Sequence, residues 1–189
     1  MRGGYLFSLP KSILLGIIMN GILQGLSNTP PDLLGYMSNK RGWDNADFLN
    51  DYADQVAWQE SRNRNIAQDN GGPARGVYQI EGYDGSSRND TVIQRAINFY
   101  NDNPEAPRSE EMNNILGKMG TNLDFTSVDP SVQKEIFMID AYQGSGSLDD
   151  LKSGKISPFD FWANYWNQSK DPKNPGLLSN WNNALNERK

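Results

Sequence analysis

The 189-residue chain contains no histidine and no cysteine. These two absences remove whole mechanisms. Zinc hydrolases draw their ligands largely from His and Cys. A Cys–His pair needs both residue types, and a Ser–His–Asp triad needs its base. Carboxylate acid–base chemistry is left open. Without cysteine there are no disulfides, so cysteine usage says nothing of redox compartment. A basic excess is also missing: the formal net charge is -5. With no Lys/Arg stripe, nucleic acid is not expected as a partner. No metal or cofactor motif is found, and neither is expected to be bound. Nor is there an apolar run long enough to span a bilayer, which takes about twenty residues.

The longest apolar run covers residues 12–27, from Ser12 to Ser27. It follows a short basic start with Arg2 and Lys11. Three readings compete for it. It has the layout of a secretory signal peptide. It has a Gly21-x-x-x-Gly25 pair suited to close helix contact, hence to self-association or packing on partner proteins. It also suits a segment that touches membranes. Asn28-Thr29-Pro30-Pro31-Asp32 then reads as a linker. The expected organisation is therefore an apolar N-terminal helix and linker over 1–40, followed by one mainly helical domain over 41–189.

Within that domain the helix signals are regular. Asp44 is read as the N-cap of a helix running to about Arg64. Asp90 or Thr91 opens a second, which Asn103-Pro104 ends. Met112, Ile115, Leu116 and Met119 ride a third, with Gly120 at its stop. Asp129-Pro130 and Ser157-Pro158 each place proline just inside a helix start. A last helix carries Leu177, Leu178, Trp181 and Leu185. Gly76 to Ile80 is read as a short strand or a turn. Most aromatic residues, Trp58, Trp162, Tyr165 and Trp166 among them, fall on helical stripes and are assigned to the core.

One residue breaks the pattern. Leu49, Tyr52, Ala53, Val56 and Ala57 form one apolar stripe, and the next position on it is Glu60. A carboxylic acid carried toward a core loses water and holds its proton more tightly. Such a group can deliver a proton near neutral pH.

The surroundings of Glu60 carry a motif. Trp58-Gln59-Glu60-Ser61 is followed by a polar loop containing Gly71-Gly72-Pro73, then by Gly76-Val77-Tyr78-Gln79-Ile80. Further on, the helix after Pro130 runs into Ala141-Tyr142-Gln143-Gly144. The arrangement resembles the lysozyme-like lytic transglycosylases, which have Glu-Ser at a helix end, a turn, a Gly-Leu-Met-Gln-Ile segment and a later Ala-Tyr-Asn-Ala-Gly stretch. Val77 and Tyr78 depart from that pattern, and so does Gln143. The resemblance covers roughly residues 44–142. It implies a mainly α, lysozyme-like domain with a small β or turn element. It implies Glu60 as the catalytic acid, with Ser61, Gly76, Tyr78, Gln79 and Tyr142 around the substrate. It also implies peptidoglycan as substrate and partner.

The resemblance further implies a mechanism. Glu60 protonates the glycosidic oxygen between N-acetylmuramic acid and N-acetylglucosamine. It then takes the proton of the muramic C6 hydroxyl as a 1,6-anhydro ring closes. A hydrolytic lysozyme would want a second carboxylate. Asp69 stands nine residues after Glu60, a spacing similar to phage-type lysozymes. Those have threonine where this chain has Arg75, and the departure favours the transglycosylase. Arg62, Arg64, Arg75 and Arg88 gather near this region and suit the carboxylates of peptide stems. The loose motifs and the apolar N-terminus suit a bacteriophage virion protein that opens the host wall for genome entry. A structural tail or ejected-core protein that uses the same fold for assembly is the rival from another class.

Overall fold

The computed structural model describes residues 31–68, 71, 74–80, 92–118, 124–144, 148–166 and 173–188. The apolar run 12–27, Asp69, Gly72, Pro73, Arg88, Met119 and Gly120 lie outside the described residues.

The described residues are mainly α-helical. They form α1 (Pro31–Arg41), α2 (Asp47–Ser61), α3 (Val92–Asp102), α4 (Glu110–Leu116), a short 3-10 turn (Phe125–Ser127), α5 (Pro130–Gly144), α6 (Leu148–Lys152), α7 (Pro158–Phe161) and α8 (Pro175–Glu187). Between α7 and α8 the chain makes a π-helical segment, Trp162–Trp166. No extended strand occurs among the described residues. The 74–80 region is instead a turn closed by paired bonds. Arg75 N–H donates to the Ile80 carbonyl at 3.0 Å, and Ile80 N–H returns the bond at 2.8 Å.

Helix α5 is the axis of the fold. Every residue from 132 to 141 is buried. A helix buried on all faces belongs inside a fold rather than on its surface. It packs along α3 and against α2. Four of its buried residues are polar or charged, namely Gln133, Lys134, Glu135 and Asp140. Each has a partner from another element, as buried polar groups require. Lys134 Nζ meets Asp54 Oδ1 at 2.6 Å. Glu135 accepts from the Tyr100 hydroxyl and from Ser109 Oγ. Asp140 pairs with Arg95.

Two boundaries differ from the sequence reading. Helix α1 belongs to the domain, since Leu33 and Met37 are fully buried in the common core. The packed unit therefore begins before residue 41. Helix α2 starts at Asp47, not after Asp44. Asn45 Oδ1 accepts from the Asp47 N–H at 3.3 Å, and Asp44 instead forms an ion pair with Lys152. The Ser157 cap is as expected, its Oγ accepting from Asp160 N–H at 3.1 Å. Helix α4 stops at Gly117, three residues earlier than the sequence suggested.

Candidate functional site

The stripe along α2 is buried at Leu49, Tyr52, Ala53, Val56 and Ala57. Glu60 follows on the last turn and is half-buried. Its Oε1 accepts from the Trp162 indole N–H at 2.7 Å. Trp162 is 2% exposed and opens the π-helical segment. Its ring lies 5.2 Å from that of Trp181 on α8 and 6.0 Å from that of Phe159. A ring held this way fixes the direction of its one N–H, and so the carboxyl group it touches. Short π-helical insertions recur at functional sites because they re-aim side chains within a helix. Here the segment begins at the residue that holds Glu60.

Helix α2 ends in a tight left-handed reversal. Arg62 and Asn63 both take φ of 58°. The Arg62 and Asn63 N–H groups donate back to Trp58 and Ala57 carbonyls at 3.0 and 3.2 Å. This closes the helix as a C-terminal cap. The Arg62 guanidinium donates to the Trp58 carbonyl at 2.9 Å and pairs with Glu187. Arg64 donates to the Ser61 carbonyl at 3.0 Å. These arginines therefore finish the helix end rather than stand ready for substrate carboxylates.

The segment 74–80 is strapped to that helix end, and the motif residues provide the straps. Ser61 is buried, and its Oγ donates to the Val77 carbonyl at 2.8 Å. Gly76 sits at φ 81° with its N–H on the Ile66 carbonyl at 2.8 Å. A Cβ at Gly76 would fall 2.2 Å from Gln133 Oε1. The close approach that demands glycine is thus to a protein side chain. Gln133 in turn accepts from Val77 N–H at 2.7 Å. Its amide nitrogen reaches Asn65 Oδ1 and the carbonyls of Phe125 and Val128 at 2.8 to 3.0 Å. Gln133 is the hub of this region, and no periodic pattern marked it.

Several sequence-predicted site residues take other roles. Tyr78 is 2% exposed and stacks on Phe137 at 4.5 Å. It is core and presents no face to a substrate. Gln79 turns its amide into its own loop, donating to the Ile66 and Gly76 carbonyls. Ser61 and Gly76 likewise brace the loop. Tyr142 packs edge-on to Trp43 and Phe99, with the Arg41 guanidinium 4.9 Å above its ring. That places it among α1, α3 and α5.

On α5, Asp140 acts on the same tyrosine as Glu60 does, Tyr52 of α2. Burial pushes the Tyr52 hydroxyl well above its ordinary range, and the charges of Glu60 and Asp140 push it the same way. Burial also raises Asp140, with Arg95 opposing. Asp140 and Tyr52 line a small cavity with the aromatic residues of α5, α7 and the π-helical segment. Neither was singled out as functional from sequence. Tyr52 read as one member of an apolar stripe, and Asp140 as part of a helix end. Compared with known proteins, the chain matches no family model, no curated protein and no solved structure.

Proposed function

We propose that this protein cleaves the glycan strands of bacterial peptidoglycan, with Glu60 as general acid and then general base, on a lysozyme-like helical domain. The observation that carries the reading is the setting of Glu60. A carboxyl group ends a buried stripe, half-shielded, and is oriented by a rigid indole donor at 2.7 Å. Orientation by a locked donor is what general acid catalysis asks of its acid. The Glu-Ser and Gly-x-x-Gln-Ile elements meet through the Ser61 to Val77 bond, so the motif is one local structure.

In the reaction, the Glu60 proton passes to the glycosidic oxygen as the bond to the muramic C1 breaks. The same carboxylate then accepts the C6 hydroxyl proton while O6 bonds to C1. The product carries a 1,6-anhydro end and the acid is restored. A hydrolytic lysozyme would deliver water to C1 instead, leaving a reducing end. Mass spectrometry of released muropeptides separates the two. Action from a phage virion on the host wall is the setting this reading fits.

A second reading draws on a specific observation. Tyr78, Tyr142 and Gln79 are spent on packing and loop bracing, which suits a tail or ejected-core protein that keeps the fold for assembly. A zymogram on purified peptidoglycan decides. Clearing by wild type and none by Glu60→Gln supports the enzyme. Equal clearing by both removes Glu60 from its role, and no clearing by either favours the structural protein.

A further inference from the structure

Among the described residues, three buried side-chain atoms on α2 lack a hydrogen-bond partner, Tyr52 Oη, Trp58 Nε1 and Gln59 Oε1, and of these residues only Tyr52 lines a cavity. Tyr52 lies about two helical turns before Glu60 on the same face of α2. It is 2% exposed, and its hydroxyl has no hydrogen-bond partner. Buried hydroxyls left unpaired are rare and call for an explanation. Tyr52 is one wall of a cavity of about 90 Å³, whose other walls include Phe137, Phe161, Tyr165 and Trp166. Asp140 and Arg95 stand at the same cavity and neutralise each other. The hydroxyl itself stays protonated, because burial and two neighbouring carboxylates oppose its ionisation. Protonated, it has a proton to donate and no acceptor for it.

These features limit the occupant. An anion would have to compete with Asp140 for the Arg95 guanidinium it already holds. A cation would meet Arg95 and aromatic walls crossed by an already paired carboxylate. A purely apolar group would leave the hydroxyl unpaired. A small neutral group with a carbonyl oxygen and an apolar end satisfies every wall. Room for about three water molecules is also room for such a group.

We infer that this cavity receives the acetamido group of an amino-sugar residue, with its carbonyl accepting from the Tyr52 hydroxyl and its methyl against the aromatic walls. The inference rests on the reading of Glu60 as an acid acting on glycan, and it adds the element that tells an N-acetylated sugar from a plain one. Tyr52 is a positioning residue here. It fixes where the sugar sits relative to Glu60.

The test titrates full-length Glu60→Gln protein, which would not turn over, with tri-N-acetylchitotriose and with cellotriose. The acetylated trimer should bind at least about tenfold more tightly, the worth of a well-made hydrogen bond in a dry site. Adding Tyr52→Phe should erase that preference and leave cellotriose binding unchanged. The melting temperature should hold or rise, since only an unpaired hydroxyl is lost. A preference that survives Tyr52→Phe, or no preference to begin with, overturns the inference and leaves any wall-clearing activity standing. A Tyr52-dependent preference in a protein that clears no wall keeps the cavity and removes the reaction.

Discussion

Gly76→Ala and Gly35→Ala are the same substitution with opposite expected signs. Gly76 lies at φ 81°, where an added Cβ costs about 1–2 kcal/mol. That Cβ would also sit 2.2 Å from Gln133 Oε1 and 2.9 Å from its Cδ. Gln133 is fully buried and fixed by four hydrogen bonds, so it cannot swing to solvent. Moving it strands the Val77 N–H, and an orphaned buried donor costs about 1–3 kcal/mol. The combined loss is about 2–5 kcal/mol, a large part of the about 5–15 kcal/mol that holds a domain together. At about 2–4 °C per kcal/mol for a domain of this size, the melting temperature should fall by about 4–20 °C. Gly35 lies within α1, and a Cβ there meets nothing within 4 Å. Alanine at that position should stabilise by up to about 1 kcal/mol. Thermal melts of both variants by circular dichroism check the pair. A Gly76→Ala protein melting within two or so degrees of wild type would refute the view that Gln133 clamps this turn.

Trp162→Phe keeps an aromatic ring and deletes the donor to Glu60. It should lower wall-clearing turnover about tenfold or more with little change in substrate affinity, read as a kcat loss at near-constant KM; a KM effect alone would contradict the orienting role. Glu135→Gln tests the buried acid on α5. Burial raises Glu135 above the ordinary glutamate value, against the bonds from Tyr100 and Ser109. The folded state thus holds that proton to higher pH than the unfolded chain does. Its contribution is fully present below the ordinary glutamate range and is lost as pH rises through the folded value. Wild-type melting temperature should therefore decline from this group between mildly acidic and neutral pH, and Glu135→Gln should flatten that decline, as melts across pH 4.5 to 8 would reveal by their difference.

How much of this was legible in the sequence follows from where each signal resides. Glu60 was, because a helical stripe is local and the break in it is visible without knowing the partner. The helix starts at Pro130 and Pro158 were too, since Asp129 and Ser157 each sit before a proline. Trp162 was not, because its bond to Glu60 spans 102 positions and an indole on an apolar stripe looks like any core residue. Gln133 was hidden for the same reason. Its four partners come from residues 65, 77, 125 and 128, and a glutamine inside a helix announces no role.

Tyr142 shows how a motif match can place a residue correctly on a helix and still misjudge its direction. Phe137, Asp140, Ala141 and Gly144 all line the cavity beside Tyr52. Their spacing of three, four and seven is that of one helical face. Tyr142 stands two positions after Asp140, about 200° around the same helix. It cannot share that face, and it is found instead against Trp43, Phe99 and Arg41. A tyrosine meant to enter that cavity from α5 would need to occupy the position of Asp140 or Ala141. In this chain the tyrosine that packs on α5, through Phe137, and feels the charge of Glu60 comes from α2 itself, as Tyr52. The helix that carries the acid therefore also carries the hydroxyl, so one rigid rod sets the spacing between them.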